Sequence, residues 1–423
     1  MGEARAARLS LEEPREGIRR ALVLSGGGAR GAYEAGVLRY VFEELPKRLG
    51  YVPRIDLYCG TSVGAVHACF LAAHADDPAV GARALTRIWR DMAFSHVYRF
   101  GAADAWSFGR SLIGFVTGSP VDTSSRPERI HGLLNTGPLE KLVVEQIPWL
   151  RLRRNLRRRK VHTLCVGATE IATGRTILFA DNVDRVVPSW THDPFVVGRA
   201  TRVGPEHVLA SASIPFLFPS VRIGQRYYCD GGLRQITPLS PALRLGANRV
   251  LVIGLRHVRA AEAFDTLGNR RVEQSMSAGF LFGKVLDALL IDRIEHDLSH
   301  MRMINQLLRA GIESEGADHL ERLNQQVVRE RGIPVQVVED CLVRPSQDLG
   351  EIAGRHVRRL RKAGVRSMIG GLAFRALTRG APEEEADLMS YLLFDGEYAS
   401  ELIDLGWHDA RESADDLAQL FQT

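Results

Sequence analysis

The chain has 423 residues, enough to bury a full core in one large domain or two. Its 45% apolar and 25% charged residues are ordinary for a globular protein, which sets aside fibrous, low-complexity and disordered classes. The net charge of +5 is modest and hints only weakly at anionic partners, and no stretch approaches the ~18 uninterrupted apolar residues of a membrane span.

Residues 1–18 read as a mobile charged leader, with Glu3, Arg5, Arg8, Glu12, Glu13, Arg15 and Glu16 and without the apolar stretch of a secretory signal. Residues 20–24 form a short apolar run, read as a buried strand, that leads into Gly26-Gly27-Gly28-Ala29-Arg30-Gly31. A helix is predicted from about residue 32 to 45, with Tyr33, Val37, Leu38, Val41, Phe42 and Leu45 mostly on one face and Pro46 as its stop. A second strand is predicted over 55–59 and a helix over 65–73, joined by Gly60-Thr61-Ser62-Val63-Gly64. Further strands are expected at 161–169, 226–229 and 249–254. Strands alternating with helices predict a mainly parallel sheet covered on both faces.

After about residue 258 the texture changes. Residues 272–308 and 357–376 read as helical, and the apolar run 335–343 is able to add a strand. The expected organisation is the leader, a catalytic α/β domain over 19–258, and a mostly helical portion over 259–423 packed on it. The five cysteines lie mostly within apolar runs and are odd in number, which predicts buried free thiols and a cytoplasmic location.

Strand, glycine turn and helix around G-x-S-x-G make a nucleophile elbow, with Ser62 the candidate nucleophile and Gly60 and Gly64 the turn glycines. The positive end of the following helix favours an oxyanion. Gly26, Gly27 and Gly28, between a strand and a helix, form a candidate oxyanion loop with Arg30 beside it. The same stretch formally matches the dinucleotide pattern G-x-G-x-x-G, but that site wants an acidic residue at the end of a second strand, and Glu43 and Glu44 lie in a helical stretch. Asp230-Gly231-Gly232 closes a short strand and reads either as a turn or as a base for Ser62. His67 and His207 are expected to be helix or loop residues, not bases. Metal-ligand spacings of the H-E-x-x-H, paired C-x-x-C and EF-hand kinds are missing from the sequence, so neither metal nor cofactor is expected.

Four blocks in order make a resemblance specific: the glycine loop, the elbow, Ala210-Ser211-Ala212-Ser213-Ile214-Pro215-Phe216-Leu217-Phe218-Pro219, and Asp230-Gly231-Gly232. Together they resemble the patatin-like phospholipase family over roughly residues 20–258. The runs at 344–349 and 390–396 are similar to bacterial members. The resemblance implies a three-layer α/β/α sandwich and lipid acyl-ester hydrolysis through an acyl-enzyme. It assigns Ser62 as nucleophile, Asp230 as its sole partner, and Gly26, Gly27 and Gly28 as the oxyanion loop supported by Arg30. Val63 departs from the alanine of many members and is expected to narrow the space beside the nucleophile. Two other functions stay open: an esterase or thioesterase for soluble acyl groups, and a non-catalytic membrane-associated adaptor.

Three segments bear on lipid access. Trp106, Phe108, Leu112, Ile113, Phe115 and Val116 are able to line or cover an acyl pocket, and the face from Met276 to Ile291 reads as core. Residues 151–160 carry seven positive charges and no negative one, which suits either a solvated helix or an anionic membrane surface. They lack the interleaved aromatics that nucleic-acid binding would use.

Overall fold

A computed structural model describes residues 9–99, 129–130, 134–188, 194–258, 294–316, 318–362 and 386–422. The segments 106–116 and 276–291 lie outside these. Among the described residues ten strands form one sheet: β1 (Arg20–Leu24), β2 (Leu57–Thr61), β3 (Arg129–Ile130), β4 (Thr163–Glu170), β5 (Thr176–Asn182), β6 (Val196–Ala200), β7 (Ser220–Ile223), β8 (Arg226–Asp230), β9 (Arg249–Ile253) and β10 (Glu339–Val343). Their order is β10-β9-β1-β2-β4-β8-β7-β3, with β5 on the free edge of β4 and β6 beyond it. The pairs from β10 to β4 are parallel.

Side-chain alternation along β1 and β9 builds three layers. Leu22, Leu24, Leu251 and Ile253 face helices Ala32–Arg39, Val63–Ala73, Pro78–Arg90 and Gly396–Glu412. Ala21, Val23, Val250 and Val252 face the other way, onto Leu239 and Ala242 of helix Leu239–Arg244 and Leu298 and Met301 of helix Ile294–Glu315. Strands buried on both faces need continuous apolar runs, which is why these two are legible in the sequence. The fold is the expected three-layer α/β/α sandwich with a mainly parallel sheet.

The C-terminal helices belong to this core. Helix Gly396–Glu412 lies on helix Ala32–Arg39, where Tyr33 Oη donates to Asp409 Oδ2 at 3.0 Å and Leu402 and Ile403 are fully buried. Each of these two buried side chains contributes about 2 kcal/mol. The run at 335–343 does add a strand, β10, parallel to β9.

Three local expectations are revised. The first helix does not stop at Pro46: a π-helical turn at Tyr40–Glu44 intervenes, the helix resumes over Leu45–Leu49, and it ends at Gly50 with φ 80°. A π turn ahead of a residue without an N–H gives the missing donor a place to fall. β2 starts at Leu57, because Asp56 spends its carboxylate on Arg20 N at 3.1 Å and Arg54 Nε at 2.8 Å. Residues 9–18 lie against the body: Leu11 bridges Val52, and buried Glu12 pairs with Arg20 at 2.9 Å. All five cysteines are free and buried.

Candidate active site

Ser62 stands between β2 and helix Val63–Ala73 at φ 55°, ψ −125°, a conformation non-glycine residues avoid. Such a residue costs about 1–3 kcal/mol and persists only where its surroundings hold it. Two features do so. A Cβ on Gly60 would strike the Gly64 backbone, so the turn closes only around glycine. The Ser62 N–H donates to Ser211 Oγ at 2.9 Å, and Ser211 Oγ donates onward to the Gly167 carbonyl at 2.5 Å.

Sheet geometry brings Asp230 to the serine across 168 residues. One edge of β4 pairs with β2 from Thr163 to Gly167 and then, from Ala168 to Glu170, with antiparallel β8. Thr61, the last residue of β2, and Asp230, the last of β8, therefore abut end to end on one edge. Ser62 Oγ donates to Asp230 Oδ2 at 2.6 Å. The other carboxylate oxygen, Oδ1, accepts the Gly232 N–H at 2.7 Å, and the Asp230 N–H donates to the Ser213 carbonyl at 2.9 Å. Asp230 is 1% exposed, and burial pushes its carboxyl up to about 6 against the opposing pull of the Ser62 and Gly232 hydrogen bonds. A carboxylate poised there can accept a proton near neutral pH.

The glycine loop is stitched into place behind the serine. Ser25 Oγ bonds Thr237 Oγ1 at 2.5 Å and the Ile253 carbonyl at 2.8 Å, and the Gly26 N–H donates to the Ile236 carbonyl at 3.1 Å. Gly26 is thus spent as a donor and supplies room beside the serine. The N–H groups of Gly27, Gly28 and Val63 make no hydrogen bond among the described residues. Gly28 has φ 56°, and the Tyr391 carbonyl occupies the space a Cβ would need. Arg30 clamps the same C-terminal segment: its Nε donates to Ser390 Oγ at 2.7 Å and its guanidinium lies 4.0 Å from the Tyr391 ring centroid. Val63 packs its methyls into the space left by Gly31.

Neither histidine approaches the serine hydroxyl. Trp89 Nε1–H donates to His67 Nε2 at 2.9 Å, which leaves the His67 proton on Nδ1, 2.7 Å from Glu34 Oε2. Glu34 is fully buried, and burial raises its carboxyl against the opposing pull of the His67 bond. This relay ties the elbow helix to helices Ala32–Arg39 and Pro78–Arg90. The His207 Nδ1 accepts the Gly204 N–H at 3.0 Å and caps helix Pro205–Ser211. Sequence reasoning missed Glu34, Trp89, Ser211 and Ser213. The serine-proline block was the one signal that pointed at the last two.

A match to the family model described as patatin-like phospholipase extends over residues 22–243, just over half of the chain, and takes in the glycine loop, the elbow, the serine-proline block and Asp230. The chain belongs to the patatin-like phospholipase family. No curated protein matches it. Among solved structures, full-length ExoU in complex with full-length SpcU, from the type III secretion system of Pseudomonas aeruginosa, is similar at 14% identity with a TM-score of 0.25. The similarity covers 97% of this chain and 91% of that one. The patatin-like domain contains no helix among the described residues long and apolar enough to cross a membrane.

The basic run forms helix Trp149–Arg157, which docks by its Leu152, Asn155 and Leu156 face. Asn155 Nδ2 donates to the carbonyls of Ala72 and Ala73, capping the far end of the elbow helix, each at 3.0 Å. Arg151 and Arg154 pair with Asp76, Arg153 with Asp181 and Arg159 with Asp184.

Proposed function

We propose that this patatin-like protein hydrolyses fatty-acyl esters of lipids with Ser62 as nucleophile and Asp230 as its only general base. The observation that carries the reading is the 2.6 Å bond from Ser62 Oγ to Asp230 Oδ2 at a strained elbow, beside three N–H groups that make no hydrogen bond among the described residues. In acylation Asp230 takes the hydroxyl proton as Ser62 Oγ bonds the ester carbonyl carbon. The N–H groups of Gly27, Gly28 and Val63 stabilise the oxyanion, and Asp230 returns the proton to the departing alcohol. Water then attacks the acyl-enzyme, with Asp230 again accepting and returning a proton.

We take residues 19–258 as the catalytic unit and the C-terminal helices as its buttress, joined through Arg30, Ser390 and Tyr391. The run 151–160 supports peripheral attachment to an anionic membrane, in keeping with a cytoplasmic enzyme acting at a surface. The test is a panel of phospholipids, neutral glycerolipids and soluble short-chain esters, compared with Ser62→Ala. Release of fatty acid from lipids by wild type alone is expected. Turnover confined to soluble esters would favour the esterase reading, and equal rates in both proteins would refute the proposal.

A further inference from the structure

Away from the dyad, a cavity of about 780 Å³ opens between helix Trp149–Arg157 and the end of β5. Six arginines line it, Arg151, Arg153, Arg154, Arg157, Arg185 and Arg202, against one acid, Asp181. The register places it at the other end of the sheet from the elbow. Asp181 is level with Leu164 and hence with Tyr58, three residues before Thr61, roughly 10 Å back along the strand.

The nearby carboxylates neutralise only part of this wall. Asp76 is engaged by Arg151 and Arg154, Asp181 by Arg153 and Asp184 by Arg159. Arg157, Arg185 and Arg202 have no hydrogen-bond or ion-pair partner among the described residues. They come from three separate elements, the basic helix, the turn after β5 and the segment after β6, so the cluster is tertiary and goes beyond the charged run. Arg185 holds φ 54°, a conformation an arginine rarely adopts. The Asn182 side chain fixes that turn by accepting the Val186 N–H at 3.2 Å and donating to the Val186 carbonyl at 2.8 Å. Two exposed apolar side chains, Leu150 and Val183, also line the cavity, and exposed Val186 follows on the same turn.

We infer that this cavity is a binding site for a phosphomonoester or polyphosphate anion, held by Arg157, Arg185 and Arg202. Planar guanidinium groups converging from several directions match the several oxygens of a dianionic phosphate, which a singly charged phosphodiester does not offer. The source is either the headgroup of a membrane lipid, with Leu150 and Val183 meeting the acyl surface, or a soluble phosphate ester. The site does not depend on the hydrolase reading, because binding is measurable in a Ser62→Ala protein.

The test titrates full-length Ser62→Ala protein with inositol hexakisphosphate by calorimetry. In parallel it measures co-sedimentation with phosphatidylcholine vesicles carrying phosphatidic acid or phosphatidylglycerol at matched surface charge. The same is done with Arg157→Gln/Arg185→Gln/Arg202→Gln, whose side chains make no hydrogen bond or ion pair among the described residues. Each lost arginine is expected to weaken binding about tenfold. Loss of phosphatidic-acid binding in the triple variant, with weaker binding to phosphatidylglycerol throughout, supports the site and assigns a lipid source. Loss of inositol hexakisphosphate binding alone supports it with a soluble source. Equal vesicle binding that the triple variant retains, unchanged inositol hexakisphosphate binding by the variant together with unchanged vesicle binding, or no binding of any probe by the parent protein overturns it.

Discussion

Replacing Asp230 with asparagine should remove activity and stabilise the protein. Asparagine is isosteric: its carbonyl oxygen still accepts the Gly232 N–H, and its amide still reaches Ser62 Oγ. What disappears is a buried negative charge. The Asp230 carboxyl rises from 3.8 to about 6 in the folded protein, chiefly through burial. A raised acid pKa means that the folded state binds the proton more tightly than the unfolded state. Its contribution to stability is full below about 3.8 and is lost as pH rises through about 6. The difference of about two units is worth about 3 kcal/mol at pH 8 and about half that at pH 5. Asp230→Asn should therefore raise Tm over wild type at pH 8, by a margin that shrinks at pH 5. Its kcat/KM on a lipid ester should fall by ~10³ or more, in the range seen when a catalytic base is lost. Differential scanning calorimetry at the two pH values and fatty-acid release at pH 8 check both halves. A variant less stable than wild type at pH 8, or one that keeps turnover, would refute the reasoning.

The pH–rate profile follows from the same carboxyl: kcat/KM should fall about tenfold per unit below about pH 6 and level off above it, as steady-state assays from pH 4.5 to 8 would show. In Ser211→Ala the buried Ser62 N–H and the Gly167 carbonyl both lose their partner, which should cost about 1–3 kcal/mol in urea unfolding and lower kcat more than it raises KM. Removing the imidazole with His67→Ala strands the fully buried Glu34 carboxylate, so Tm should drop by several degrees, while the acid limb near pH 6 stays in place because that limb belongs to Asp230. Converting Arg30 to methionine should free Ser390 and Tyr391 from the glycine loop and lower kcat, while fluorophosphonate labelling of Ser62 persists at a reduced rate.

The parts of this molecule visible in its sequence are those where the backbone demands a particular residue. The glycine loop and the elbow tolerate little else at their tight turns, and β1 and β9 need apolar residues on both faces. The meeting of Ser62 with Asp230 was legible from the residues as one of two readings and was selected by family resemblance, because it depends on β4 changing partners from β2 to β8 at Gly167–Ala168, a pairing that leaves no local trace. Ser211 and Ser213 were visible as a block without a role, since Ser211 Oγ bonds the distant Ser62 N–H and Gly167 carbonyl and the Ser213 carbonyl accepts the Asp230 N–H. Glu34 and Trp89 carried no signal, because a buried acid inside a helix looks like any other helical glutamate. The basic run was only partly legible. Charge counting left a solvated helix and a membrane surface both open and gave no sign that the tertiary carboxylates Asp76, Asp181 and Asp184 take up four of its seven cations.

The central claim is that Ser62 is the nucleophile and Asp230 activates it. Mass-spectrometric mapping of a fluorophosphonate adduct on the folded protein tests it most directly. The account predicts a single adduct on the Ser62 peptide, absent in Ser62→Ala, slowed at least a hundredfold in Asp230→Asn, and unchanged in position in His67→Ala. An adduct on another residue, or labelling of Ser62 at the wild-type rate in Asp230→Asn, would contradict it.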